Sequence, residues 1–197
     1  MSDGGEVARW VARAPDVPEA WFLRRGPQRS RVHGVTHTQR VHIHTQRLIE
    51  ALAWDEDDAA LVLRAALVHD IGRLDDGVDP WHGATSASRA EQLGLLDDLS
   101  SEEAVVVAFA VRFHSRSDER AVRSLEWPDA ADDRGREGAR RPDPVRALRV
   151  LWLLKDADAL DRVRLHFPRG ADPDMLRHRE TVDLMPFAVE LYRAFPD

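Results

Sequence analysis

The segment AALVHDIGR, residues 65–73, carries the main structural signal of the chain. Apolar residues lead directly to His69 and Asp70, and Gly72 then interrupts the helical pattern. Ionisable side chains at the end of an apolar helix are costly to bury unless they are paired or bind a metal ion. The segment therefore predicts a core helix that delivers two metal ligands, and the remaining ligands are expected elsewhere in the chain.

The composition predicts one soluble globular domain over 1–197, because 43% of the 197 residues are apolar and 32% are charged. The chain has no cysteine, so any metal is held by His, Asp or Glu. The formal net charge of −7 argues against dedicated nucleic-acid binding. The sequence shows no signal-peptide core and no apolar run of about 18 residues, and a cytoplasmic protein without membrane attachment is expected.

The hydrophobic pattern predicts an all-α protein, since alternating β-branched runs are sparse. Helices are expected at 6–13, 36–53, 54–71, 84–96, 101–114, 145–165, 173–179 and 182–195. Residues 14–34 contain three prolines and are expected to form an irregular lead-in. Loops are expected at 75–83 and 126–144, and the second of these is expected to be exposed.

Polar residues lie on the apolar stripes of four predicted helices, because residues three or four apart share a helix face. These residues are His37, Asp70, His114 and Asp158. A single buried histidine is more often a hydrogen-bonded core residue than a ligand, so the argument depends on the whole set. Several such groups in one core predict a metal cluster with nitrogen and oxygen ligands.

Three motifs follow one another in the chain: HTQRV at 37–41, HDIGR at 69–73 and ADAL at 157–160. Together they resemble the H…HD…D signature of the HD-domain superfamily of metal-dependent phosphohydrolases. The resemblance covers 33–165 and implies a single HD-domain helical bundle with the metal site between core helices. It also implies hydrolysis of a phosphoester or phosphoanhydride, with nucleotides prominent among the substrates.

The resemblance implies a first metal ion held by His37, His69, Asp70 and Asp158. His82 and His114 extend the order to H…HD…H…H…D, which is similar to the branch of the family with a two-metal site. In that branch Asp70 would bridge the two ions, whereas a protein with only the first four ligands would bind one. The expected ions are Mn, Fe, Co, Ni or Zn, since imidazole and carboxylate ligands suit all of them.

Basic residues near the motifs are candidates for phosphate binding. Arg73 and Arg40 are candidate catalytic residues that bind phosphoryl oxygens, although an ion pair at the surface is an equal alternative for either. His33 and Arg116 are candidate substrate-binding residues. Asp161 is expected to support the site from behind the ligands.

Three functions remain open. Phosphohydrolysis is favoured, because it is the commonest chemistry that the resemblance implies and because arginines suit phosphate. The alternatives are an HD-type di-iron oxygenase and a metal-stabilised binding protein without turnover. The expected partner is a small phosphorylated substrate, with a nucleotide favoured, and a homo-oligomer is left open. Substrate choice is expected to depend on 14–34 and 126–144.

Overall fold

The structure is a computed structural model that describes residues 4–126, 140–165 and 170–197. Its helices are α1 (Gly4–Val11), α2 (Val35–Ala51), α3 (Glu56–Val68), α4 (His82–Gln92), α5 (Ser101–Phe113), α6 (Asp118–Glu126), α7 (Pro144–Asp161), α8 (Arg179–Asp183) and α9 (Met185–Ala194). No strand occurs in these ranges, and the prediction of an all-α protein is confirmed. Most of the predicted loop at 126–144, residues 127–139, lies outside the described residues.

Local sequence signals start the core helices. Asp55 caps α3 by accepting a hydrogen bond from the Asp58 backbone N–H. Ser100 and Glu103 form a reciprocal capping box at the start of α5. At the start of α7, the Asp143 side chain accepts the backbone N–H of Arg146. Such caps satisfy backbone donors that have no partner inside the helix, so these starting points are encoded locally.

Some helix boundaries differ from the predicted ones. α4 begins at His82, two residues before its predicted start. The predicted helix at 173–179 is a 3-10 helix at Pro173–Met175. The predicted helix at 182–195 is divided into α8 and α9, and Pro186 lies in the first turn of α9, where proline is favoured. α6 was not predicted.

The core lies where α2, α3, α5 and α7 pack against one another. Its fully buried side chains include Val41, Leu48, Val62, Ala65, Val107, Val111, Leu151 and Leu154. α4 packs on α5, and α1 packs on α9 at the edge of the bundle. Five of the six predicted ligands lie on or directly after these four helices, and the sixth, His82, begins α4. In the described ranges, none of the helices combines the length and apolar character needed to cross a membrane.

Gly72 allows α4 to approach the turn that follows α3. A Cβ at this position would lie 2.3 Å from the Ser86 backbone nitrogen and 2.5 Å from the Thr85 carbonyl carbon. The Gly72 N–H also donates to Ser86 Oγ at 3.0 Å. The chain leaves the helix after Val68, earlier than the predicted end directly before Gly72. Gly72 is therefore required by packing between two elements.

Gly72→Ala is expected to lower the free energy of unfolding by about 1–3 kcal/mol, because the new methyl group forces α4 away from the turn. Urea denaturation followed by circular dichroism measures this change. Gly170→Ala is the matched control, since among the described residues its Cβ would meet only Leu165 O, at an ordinary 3.5 Å. Equal stability of the two variants would contradict the packing argument.

Candidate metal centre

The side chains predicted as metal ligands meet in one place. They are His37 on α2, His69 and Asp70 after α3, His82 at the start of α4, His114 after α5 and Asp158 on α7. The side chains of His37 and His69 are fully buried, and that of Asp70 is 3% exposed. The Asp158 side chain is 32% exposed, so the cluster reaches solvent on its side.

The first ligand set consists of His37, His69, Asp158 and the Oδ2 atom of Asp70. The Nε2 atoms of His37 and His69 are 3.1 Å apart. His37 Nε2 lies 3.4 Å from Asp158 Oδ1 and 3.5 Å from Asp70 Oδ2. His69 Nε2 lies 3.7 Å from the same Asp70 oxygen. These four residues, from three separate helical elements, thus present their ligand atoms to one small volume.

The second ligand set consists of His82, His114 and the Oδ1 atom of Asp70. The two Nε2 atoms are 2.9 Å apart. Asp70 Oδ1 lies 3.1 Å from His82 Nε2 and 3.5 Å from His114 Nε2. This buried oxygen has no hydrogen-bond partner among the described residues. Each oxygen of Asp70 therefore faces a different set, which is the arrangement of a bridging carboxylate.

Local backbone geometry aims the imidazoles. His69 and His114 are the C-cap residues of α3 and α5 and keep helical backbone angles. Each ring donates its Nδ1–H to the carbonyl three residues earlier, at 2.8 Å for Ala66 and 2.7 Å for Val111. These bonds also satisfy carbonyls near the ends of the helices. Nε2 is consequently directed into the centre.

The chemistry of the donor set fits a divalent cation. The Nδ1 atoms of the four histidines are each satisfied from behind: His37 by Asp161 Oδ2, His69 by Ala66 O, His82 by Asp79 O and His114 by Val111 O. A neutral imidazole that carries its proton on Nδ1 has a lone pair on Nε2. Lone pairs and carboxylate oxygens then face one another, and they repel unless a cation lies between them. Metal-binding histidines generally show this pattern.

The carboxylates around His37 also favour positive charge at this position. Burial and the Arg164 guanidinium oppose its protonation, but hydrogen bonds with Asp158, Asp161 and Asp70 outweigh them and raise the pKa of His37 to about 10. In the metal-free protein a proton therefore supplies the charge at this position. A divalent cation would supply it instead and release the proton.

The structure corrects the prediction that Arg40 binds phosphoryl oxygens. The Arg40 side chain is fully buried, and each of its nitrogens is already used. Nε donates to Asp161 Oδ1 at 2.6 Å, Nη1 donates to the Phe195 carbonyl at 2.9 Å, and Nη2 donates to Asp197 Oδ1 at 2.8 Å. Arg40 lies behind His37, on the side away from the centre. Its ion pair with Asp161 is buried, whereas the alternative prediction was an ion pair at the surface.

Asp161 is the acceptor that organises this buried region. It is fully buried and accepts from His37 Nδ1 at 2.7 Å and from Arg40. Arg164 lies 3.1 Å away through Nη1, and its Nη2 is 3.5 Å from His33 Nδ1. Sequence reasoning missed Arg164, although its spacing of three residues from Asp161 was a signal for a shared helix face.

The remaining predicted residues lie around the two sets. His33 Nδ1 is 2.9 Å from Asp70 Oδ2, and the His33 side chain is 17% exposed. Arg73 lies beside the second set, with Nη1 3.0 Å from His82 Nε2. The guanidinium carbon of Arg116 lies 3.3 Å from the centre of the Trp81 ring, directly before His82 in the chain. These three residues therefore stay candidates for substrate binding.

His44 is buried on α2, and neither of its ring nitrogens has a hydrogen-bond partner in the described part of the chain. Burial lowers the pKa of His44 to about 4. Below pH 6.5 the unfolded chain takes up a proton at this residue that the folded chain does not. The free energy of unfolding is therefore expected to fall as the pH drops from 6.5 towards 4.

His44→Leu is expected to remove this contribution, which amounts to about 2 kcal/mol at pH 5. Urea denaturation of both metal-free proteins at pH 7 and pH 5 measures the difference. The original protein should lose more stability than the variant over this interval. Equal losses would contradict the assignment of a neutral, buried His44.

Fold and site together define an all-α protein with a buried centre of histidine and aspartate side chains. The family model of the HD domain matches residues 34–163, which is more than half of the chain and contains all six predicted ligands. The chain therefore belongs to the HD-domain family, within the superfamily of metal-dependent phosphohydrolases. Neither a curated protein nor a solved structure matches the chain significantly.

Proposed function

We propose that the protein hydrolyses a phosphoester or phosphoanhydride bond in a small phosphorylated metabolite, with a nucleotide as the favoured substrate. One observation carries the proposal: the two oxygens of Asp70 face two separate groups of imidazoles, at 3.5 Å from His37 Nε2 and at 3.1 Å from His82 Nε2. A bridging carboxylate between two such groups suits hydrolysis at phosphorus. His37, His69, Asp70 and Asp158 would hold the first ion, and His82 and His114 would complete a second site with Asp70.

A divalent ion in this centre would act as a Lewis acid. It would neutralise negative charge on the phosphoryl group and lower the pKa of a water molecule. The residues of the chain orient the reactants and handle protons. His33 Nδ1 donates to Asp70 Oδ2 at 2.9 Å, which leaves a lone pair on its Nε2 atom. Burial lowers the pKa of His33 despite the neighbouring Asp70. A neutral His33 beside the centre is thus suited to accept a proton.

Positive charge for the substrate is available on the side of the second ligand set. Arg73 holds its guanidinium beside His82 and donates from Nη2 to the Gly77 carbonyl at 2.9 Å. The Arg116 guanidinium stacks on the ring of Trp81, a residue that is 45% exposed. Arginine binds phosphoryl oxygens with paired, charge-assisted hydrogen bonds. We assign these two residues to phosphate binding.

A di-iron oxygenase is the second candidate, because carboxylate and imidazole ligands also suit iron. Metal content is measured first, and nucleotides and sugar phosphates are then assayed with Mn, Co, Ni, Fe and Mg. Phosphate release that depends on the metal supports the proposal. If the iron-loaded protein consumes oxygen and releases no phosphate, the protein is an oxygenase and the proposed hydrolysis is wrong. If no substrate is converted with any of the metals, the remaining alternative is a binding protein without catalytic activity.

The two ligand sets are expected to differ in their importance for turnover. His69→Ala should lower kcat/KM more than His82→Ala, because His69 is fully buried in the first set, whereas His82 belongs to the second set and has Arg73 beside it. We expect a loss on the order of 100-fold or more for His69→Ala and about 10-fold for His82→Ala. Steady-state kinetics with a fixed metal measures both. Equal losses would contradict this ranking.

A further inference from the structure

The second ligand set already has a cation beside it. Arg73 Nη1 lies 2.8 Å from Nδ1 and 3.0 Å from Nε2 of the His82 ring, and 3.8 Å from Asp70 Oδ1. The Gly77 carbonyl accepts from Nη2 at 2.9 Å and holds the guanidinium in this place. The Arg73 residue is 8% exposed, so water screens its charge weakly.

Behind the first ligand set, the buried guanidinium of Arg164 pairs with Asp161 at 3.1 Å, and Asp161 in turn accepts from His37 Nδ1. The charge of Arg164 is therefore balanced by a carboxylate that is not itself a predicted ligand. Arg73, in contrast, contacts the ligand His82 directly and keeps its charge at every accessible pH. The two halves of the centre therefore offer a divalent ion very different electrostatic surroundings.

We propose that Arg73 supplies part of the positive charge that the second ligand set requires and thereby makes the two metal sites unequal. The first set binds a divalent ion tightly, and the second set binds one weakly, because an ion on His82 and Asp70 has the guanidinium as a like-charged neighbour. The inference rests on the metal centre of the proposed function, and it concerns metal affinity alone. In its resting form the protein would then hold one metal ion, and the Arg73 guanidinium would take the place of the second ion.

Titration of the metal-free protein with Co²⁺ in phosphate-free buffer tests this inference, with isothermal calorimetry and metal analysis after dialysis as readouts. The original protein is expected to retain one ion and to bind a second at least 10-fold more weakly. Arg73→Met should lower the ratio of the two dissociation constants, here called the gap between the sites, by at least 10-fold. Arg73→Gln, which can still donate to Gly77, is a second variant in case the first does not fold.

Arg64→Met is the matched control, because it removes the same charge from a surface pair with Asp98. It should leave both affinities unchanged, as should Arg73→Lys, which keeps the charge. An unchanged gap in folded Arg73→Met or Arg73→Gln would overturn the inference, and so would two equal sites in the original protein. The proposed function fails separately, if a protein with this metal behaviour releases no phosphate from any substrate.

Discussion

Asp70→Asn is expected to abolish turnover and to reduce bound metal below one ion per chain. Asparagine keeps the size of the side chain but removes its negative charge, and one of its two bridging oxygens becomes an N–H donor. Both ligand sets depend on this carboxylate, whose oxygens lie 3.5 Å from His37 Nε2 and 3.1 Å from His82 Nε2. We expect kcat/KM to fall by more than about 100-fold, the largest effect usual for residues that only support a ligand.

Metal analysis, kinetics and circular dichroism on the same preparation test this expectation. Asp98→Asn is the control, since Asp98 pairs with Arg64 on the surface and contributes no atom to either set. That variant should keep its metal and its activity. A folded Asp70→Asn protein with normal turnover would rule out the proposed mechanism.

Asp161→Asn is expected to destabilise the protein by about 3–5 kcal/mol, the usual cost of leaving one member of a buried ion pair without its partner. Asp161 and Arg40 are both fully buried, and Arg40 Nε donates to Asp161 Oδ1 at 2.6 Å. The substitution leaves the guanidinium of Arg40 with a neutral amide as its nearest partner on this side. Urea denaturation measures the loss of stability.

The same variant is expected to weaken metal binding by about 10–100-fold, because His37 loses the carboxylate that accepts its Nδ1–H. Asp98→Asn again serves as the comparison, since exposed ion pairs contribute little to stability. An Asp161→Asn protein as stable as Asp98→Asn would contradict the central role of this carboxylate. Undiminished metal affinity would show that the hydrogen bond does not orient His37.

Local patterns were sufficient to predict the helical class and the core helices. The starts of α5 and α7 lie within one residue of the predicted starts at 101 and 145, because capping residues and apolar spacing act within a few neighbouring residues. The predicted end at 165 lies beyond Asp161, where α7 ends and the 3-10 helix Arg162–Arg164 follows. The end of α3 was placed too late, because the chain leaves the helix in a turn where Gly72 touches α4. That contact is between distant residues, and helix periodicity carries no information about it.

The predicted ligands come together in the structure, but their supporting residues were only partly foreseen. Asp161 lies behind His37, as expected. Arg40 follows His37 by nearly one turn and looked like a phosphate ligand, yet it is buried against Asp161. The three motifs do not include Arg164, whose Nη2 atom lies 3.5 Å from His33 Nδ1. Helix spacing identifies a face, but it does not tell whether a cation on that face meets substrate or a buried carboxylate.

The amino-acid sequence by itself determined that this chain is helical and which imidazoles and carboxylates are available as ligands, because periodicity and motif spacing are properties of neighbouring residues. Tertiary packing decided that Asp70 presents one oxygen to each group of histidines and that Arg73 lies against His82. The contacts of the centre join residues as far apart in the chain as His37 and Asp161. They arise only when α2, α3, α5 and α7 bury their apolar faces together.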